Sequence, residues 1–128
     1  MRIITTIPVK FKHWDTVIHI SRYANNGNIA LSLNDAETQE PIAKATVNTD
    51  KMTDEFGVIK DHSENEGMLQ ALLDAEVVEV VEYKQINRWV TAPVVRFTNE
   101  LAWEIELMAP AGQGLHNVDK LVRDMGNG

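Results

Sequence analysis

The sequence predicts an α+β domain dominated by antiparallel strands. Three observations carry that expectation. Apolar residues alternate with polar ones in short runs, most cleanly where Ile29, Leu31 and Leu33 interleave with Ala30, Ser32 and Asn34. Those runs are separated by turn-forming residues, above all Asn25-Asn26-Gly27-Asn28, which tolerate positive φ. One stretch, Gly57 to Val81, changes to a helical period, with Met68, Leu69, Leu72 and Leu73 on a single stripe. The expected architecture is a mostly antiparallel sheet of about five to seven strands. A helix over Ser63–Ala75 covers one face, and a C-terminal amphipathic helix follows a flexible joint. Residues 1–108 form the domain, 109–114 the connector and 115–128 the second helix.

Taken in order, Arg2–Phe11 is β-branched and holds Pro8, which cannot donate to a ladder. It is therefore an edge strand or one that ends near Pro8. Trp14–Tyr23 and Ile29–Asn34 are strands flanking the Asn-Gly turn. Asp35–Pro41 is a polar turn, Ile42–Val47 a strand, and Asn48–Phe56 an acidic surface loop. Ser63 and Glu66 have the spacing of a capping box, in which each side chain satisfies the other's backbone amide. Gly67 marks either close packing against the sheet or nothing structural. Val77–Tyr83 and Asn87–Thr98 are strands, the second interrupted at Pro93. Leu101, Trp103, Ile105 and Leu107 alternate and favour a strand, although Leu101, Ile105 and Met108 also fit a helix. Leu115, Val118, Leu121, Val122 and Met125 recur at helical spacing. Trp89 and Trp103 read most simply as core residues; exposed, they would be interface anchors.

The chain has 128 residues, one domain's worth, and no cysteine, so disulfides and thiolate metal sites are excluded. No apolar run approaches the ~18 residues of a membrane span, and the N-terminus does not read as a signal peptide. A cytoplasmic location is expected. The net charge of −7 is concentrated in residues 34–82, where thirteen acidic residues face three lysines. That segment opposes nucleic acid and suits a basic protein surface.

Catalytic signatures are weak. His13, His19, His62 and His116 show neither H-x-x-x-H nor H-E-x-x-H spacing, and no phosphate-loop motif occurs. Asp61-His62-Ser63 has the residue types of a triad, but adjacent residues point in different directions. No cofactor and no metal are expected.

Several blocks resemble a known family: Tyr23-x-x-x-Gly27-x-x-Ala30, Glu40-Pro41-Ile42-Ala43 with Thr46-Val47-Asn48, and Val90-x-x-Pro93-Val94-x-Arg96. The most specific block is Ile59-Lys60-Asp61-x-Ser63-Glu64-Asn65-Glu66-Gly67-Met68-x-x-Ala71-Leu72. Together they resemble a family of small phage, prophage and plasmid proteins described only as a domain of unknown function. The likeness spans residues 16–97. It departs at Tyr83–Arg88, where the family carries a glycine- and threonine-rich stretch. The resemblance implies a mobile-element protein working inside a bacterial cell, and it transfers no catalytic residue.

Three functional readings follow. The first is an accessory protein that binds a host or phage protein, such as a basic nucleic-acid-binding one, and blunts a defence system of the anti-CRISPR or anti-restriction type. Its acidic face would be Asp50, Asp54, Glu55, Asp61, Glu64 and Glu66. The second is a nucleic-acid-binding protein using Lys10, Lys12, Trp14, Arg22 and Tyr23, since basic and aromatic residues together hold phosphates and stack bases. The third is an enzyme with a site around His62. The C-terminal helix would serve any homo-oligomer.

Overall fold

A computed structural model describes residues 2–108. The connector and the helix expected over 115–128 lie outside the described residues, as does His116. The α+β class holds, but the strands divide between two antiparallel sheets instead of one. Strands β1 (Ile3–Phe11), β2 (Trp14–Arg22), β3 (Ile29–Asp35) and β4 (Pro41–Lys44) form a meander in that order. Strands β5 (Thr46–Val47), β6 (Phe56–Ile59), β7 (Val78–Gln85) and β8 (Thr91–Phe97) form the second sheet, ordered β5-β6-β8-β7.

The chain changes sheets at Ala45, which is fully buried. Its N–H donates to the Leu31 carbonyl at 2.8 Å, and its own carbonyl accepts from Lys60 N–H at 2.9 Å. One residue thus joins both ladders, so the expected single strand over Ile42–Val47 is cut in two.

Strand β1 is an edge strand, as Pro8 requires, yet it runs on to Phe11. Its register shifts between Ile4 and Pro8. Thr5 fills the break: its hydroxyl donates to the Ile18 carbonyl at 2.8 Å and accepts from Ile7 N–H at 3.1 Å. Pro93 does not interrupt β8. Strand β6 pairs with β8 only from Val94 to Arg96, so Pro93 lies where β8 has outgrown that neighbour and owes it no donor.

The main core collects Ile18, Ile20, Leu31 and Leu33 from the first sheet, Ile59, Val95 and Phe97 from the second, and one stripe from each helix. Helix α1 (Met68–Asp74) buries Met68, Ala71 and Leu72. Helix α2 (Asn99–Leu107) buries Leu101 and Ile105, with Met108 next on the same stripe. The strand expected over Leu101–Leu107 is therefore a helix. The winning pattern was 101, 105, 108, and Trp103 and Leu107 fall outside it, at 53% and 64% exposure. Trp103 is not core, and neither is Trp89, at 83%.

The capping box does not form. Ser63–Asn65 is a 3-10 turn with Ser63 at φ 56°, and α1 starts later, after Gly67 at φ 98°. A side chain at Gly67 would meet nothing within 4 Å, so this glycine answers a backbone requirement and not a packing one. The capping acceptor comes from further upstream: Leu69 N–H donates to Asp61 Oδ1 at 2.9 Å. Asp61→Ala should therefore cost about 1 kcal/mol, the ordinary worth of a lost cap. Ser63→Ala should change stability by less than about 0.5 kcal/mol. Urea unfolding of the two variants separates these assignments.

Candidate functional site

Several of the acidic residues of 50–66 are engaged by partners within the chain. Asp54 is held by a two-pronged pair with Arg22: Nη1 to Oδ1 and Nη2 to Oδ2, both 2.8 Å, on side chains less than a third exposed. These hydrogen bonds raise the pKa of the guanidinium further above its already high ordinary value. Asp61 caps α1. Glu64 pairs with Lys60, four residues earlier in the chain. Asp50 lies 3.9 Å from Lys84 and is fully exposed. Glu55 and Glu66 are exposed and enter no ion pair among the described residues. Glu55 directly precedes β6, and Glu66 follows the 3-10 turn.

The basic candidates are similarly committed. Lys10 pairs with Asp15 at 3.2 Å, and Lys12 Nζ donates to the Glu64 carbonyl at 2.8 Å. Tyr23 hydroxyl lies 3.0 Å from Thr46 Oγ1 and 3.2 Å from the Thr46 carbonyl, tying the first sheet to β5. Trp14 stacks beside His13, ring centroids 4.5 Å apart. Arg22 and Asp54, proposed for opposite readings, neutralise each other. Neither sequence pattern could reveal this, because the two residues are 32 positions apart.

The Lys60 hydrogen bond is the main cause that pulls the Glu64 carboxyl below its ordinary 4.5. A carboxylate with a lowered folded pKa contributes stability that is complete above its unfolded value and fades as pH falls through the folded one. Lys60→Met should move the Glu64 titration midpoint upward in an NMR-monitored pH series.

His62 is half-buried at the mouth of the 3-10 turn, and His19 is buried in β2 with Nε2 2.7 Å from Gln39 Oε1. Among the described residues no three His, Asp or Glu side chains stand close enough to hold a metal ion. No helix among the described residues is long and apolar enough to cross a membrane.

The sequence reading expected both strands of the β7–β8 hairpin but took Trp89 for core and missed how exposed the hairpin is. Strand β7 is the outer strand of its sheet, and every residue from Glu79 to Tyr83 is exposed. Val81 is the extra residue where the register shifts between Val80 and Glu82. Beyond Val94 the hairpin has no β6 neighbour, so it projects past the sheet. Its tip is fixed by Asn87, whose Oδ1 accepts from the N–H groups of Trp89 at 2.8 Å and Val90 at 3.0 Å. The Arg88 guanidinium lies 5.8 Å from the Trp89 ring centroid. Tyr83, 62% exposed, extends the apolar surface along the strand with Val80 and Val81. The available signal was Trp89 placed one residue after the polar pair Asn87-Arg88, which marks a turn and not a core strand.

No protein-family profile, no curated protein and no solved structure matches the chain.

Proposed function

We propose that the protein acts by binding another protein, and that the β7–β8 hairpin is its contact surface. The observation that carries this reading is the exposure of Val80, Val81 and Tyr83 on the outer strand β7 and of Trp89 at the hairpin tip. The Val81 bulge and the charges of Glu79, Glu82 and Lys84 disfavour strand addition at this edge, so the contact expected is with the exposed side chains. Tyr, Trp and Arg are the residues that most often anchor interfaces, and all three occur on this hairpin. The acidic residues of 50–66 contribute less, because Asp54, Asp61 and Glu64 already serve the protein's own fold.

Capture from bacterial lysate should recover a partner with the native chain and lose it with Trp89→Ser and with Tyr83→Ser. Each substitution is expected to weaken the complex by about 2 kcal/mol. Trp103→Ser, away from the hairpin, should retain the partner. Retention by both hairpin variants would refute the assignment. The narrower form of the proposal is the mobile-element one: the partner belongs to a host defence system, and the protein blunts it. Cells expressing the protein should then admit a restricted phage or plasmid more efficiently, and unchanged plating would remove that form while leaving the hairpin assignment standing.

A further inference from the structure

Helix α2 has a second apolar face that nothing among the described residues covers. Leu101, Ile105 and Met108 turn into the core. Trp103 and Leu107 lie one turn apart on the opposite side of the same helix, and both are exposed. Scattered apolar residues on a surface need no explanation, but a Trp and a Leu stacked on one helix face form a continuous patch.

The sequence supplies an occupant. Six residues, 109–114, separate Met108 from the run Leu115, Val118, Leu121, Val122 and Met125. That run recurs at helical spacing, so as a helix it would present one apolar face. At 1.5 Å per residue, a stripe from 115 to 125 is about 15 Å long, and α2 itself about 13 Å. Pro110 cannot continue α2. A six-residue connector reaches at most about 20 Å, while two packed helices stand only about 8–10 Å apart. The chain therefore has the length to reverse and lie antiparallel to α2, with Leu115 beside Leu107 and Val118, Leu121 and Val122 beside Trp103. The size of the patch favours this occupant over a separate protein. Stable complexes between free proteins bury more than about 1,000 Å², which two side chains do not offer. A tethered segment meets the patch at an effective concentration of about millimolar, where a weak contact suffices.

We propose that residues 115–125 fold back as a helix onto Trp103 and Leu107. The docked segment keeps those two side chains from acting as a second association surface, and the inference does not depend on the hairpin. The test uses the full chain, isotope-labelled. Its three tryptophans give three indole signals, assigned by replacing each in turn with Phe. NOEs should join the Trp103 indole to methyl groups of Val118, Leu121 or Val122. Leu121→Ser combined with Val122→Ser should erase the NOEs to 121 and 122 and shift the Trp103 signal, while the Trp14 and Trp89 signals and the amides of β1–β8 stay in place. The proposal fails if the Trp103 signal is the same in the native and doubly substituted chains, or if the methyl NOEs of 115–125 run to the sheets or the hairpin instead. It fails equally if the NOEs arise only between differently labelled chains in a mixed sample, which would give the Trp103 face to a second copy.

Discussion

Gly57→Ala should destabilise the protein by about 1–3 kcal/mol, the usual cost of forcing extra volume into a packed core. Gly57 sits in β6 opposite Val95, fully inside the fold. A Cβ built there would stand 2.5 Å from Phe97 Cζ and 3.3 Å from Cε1. The Phe97 ring lies over the bare glycine backbone, and β8 has no slack to withdraw it, being paired on both sides at this level. The clash is with one named side chain, so it has a rescue. Phe97→Leu opens space at a cost of its own, and the double variant should be more stable than the two single losses predict. A coupling energy above about 0.5 kcal/mol from denaturant unfolding would establish the contact. Strict additivity would show that Gly57 is needed for some other reason.

Asn28→Ala should cost about 1–3 kcal/mol, because it strips several partners at one stroke. Asn28 is buried just after the Asn-Gly turn. Its Oδ1 accepts from Met52 N–H at 2.8 Å, and its Nδ2 donates to the Asp50 carbonyl at 3.0 Å and Asn48 Oδ1 at 3.1 Å. Asn26 adds a bond to the Thr49 carbonyl at 2.8 Å, and Asn48 returns one to Asn25 Oδ1 at 2.8 Å. The loop that reads as polar and acidic is thus fastened to the first hairpin by amides, with Arg22–Asp54 beside them. Hydrogen exchange in residues 48–55 should accelerate in Asn28→Ala more than exchange in β2 or β3. Equal acceleration everywhere would mean that the loss is global and not a release of this loop.

The same network shows which parts of the site could be read in advance. The Asn25–Asn28 turn was legible because positive φ is a property of single residues, and Gly27 does adopt φ 78°. Strand β3 was legible because its alternation is local. Helix α2 was misjudged because Leu101–Leu107 satisfies period two and period 3.6 together. The choice depended on which side found a core, and that core is supplied by β1 and its neighbours. The start of α1 was misplaced for a related reason. Ser63 and Glu66 have the right spacing, but Asp61 reaches Leu69 from eight residues away. The pairing of the acidic residues was not legible, because a residue's charge is evident from its type, while a partner such as Arg22 for Asp54 is brought by distant chain.

From its amino acids alone this protein was committed to strands linked by Asn- and Gly-bearing turns, to an α+β composition, and to an excess of negative charge in its middle third, since each is set by residue type and near neighbours. Folding in three dimensions decided that the strands part into two sheets at Ala45, that Arg22 cancels Asp54, and that Trp89 and Tyr83 face water on an open edge. Those outcomes depend on contacts between residues far apart in sequence, where burial and hydrogen-bond geometry choose among alternatives that local propensity leaves equal.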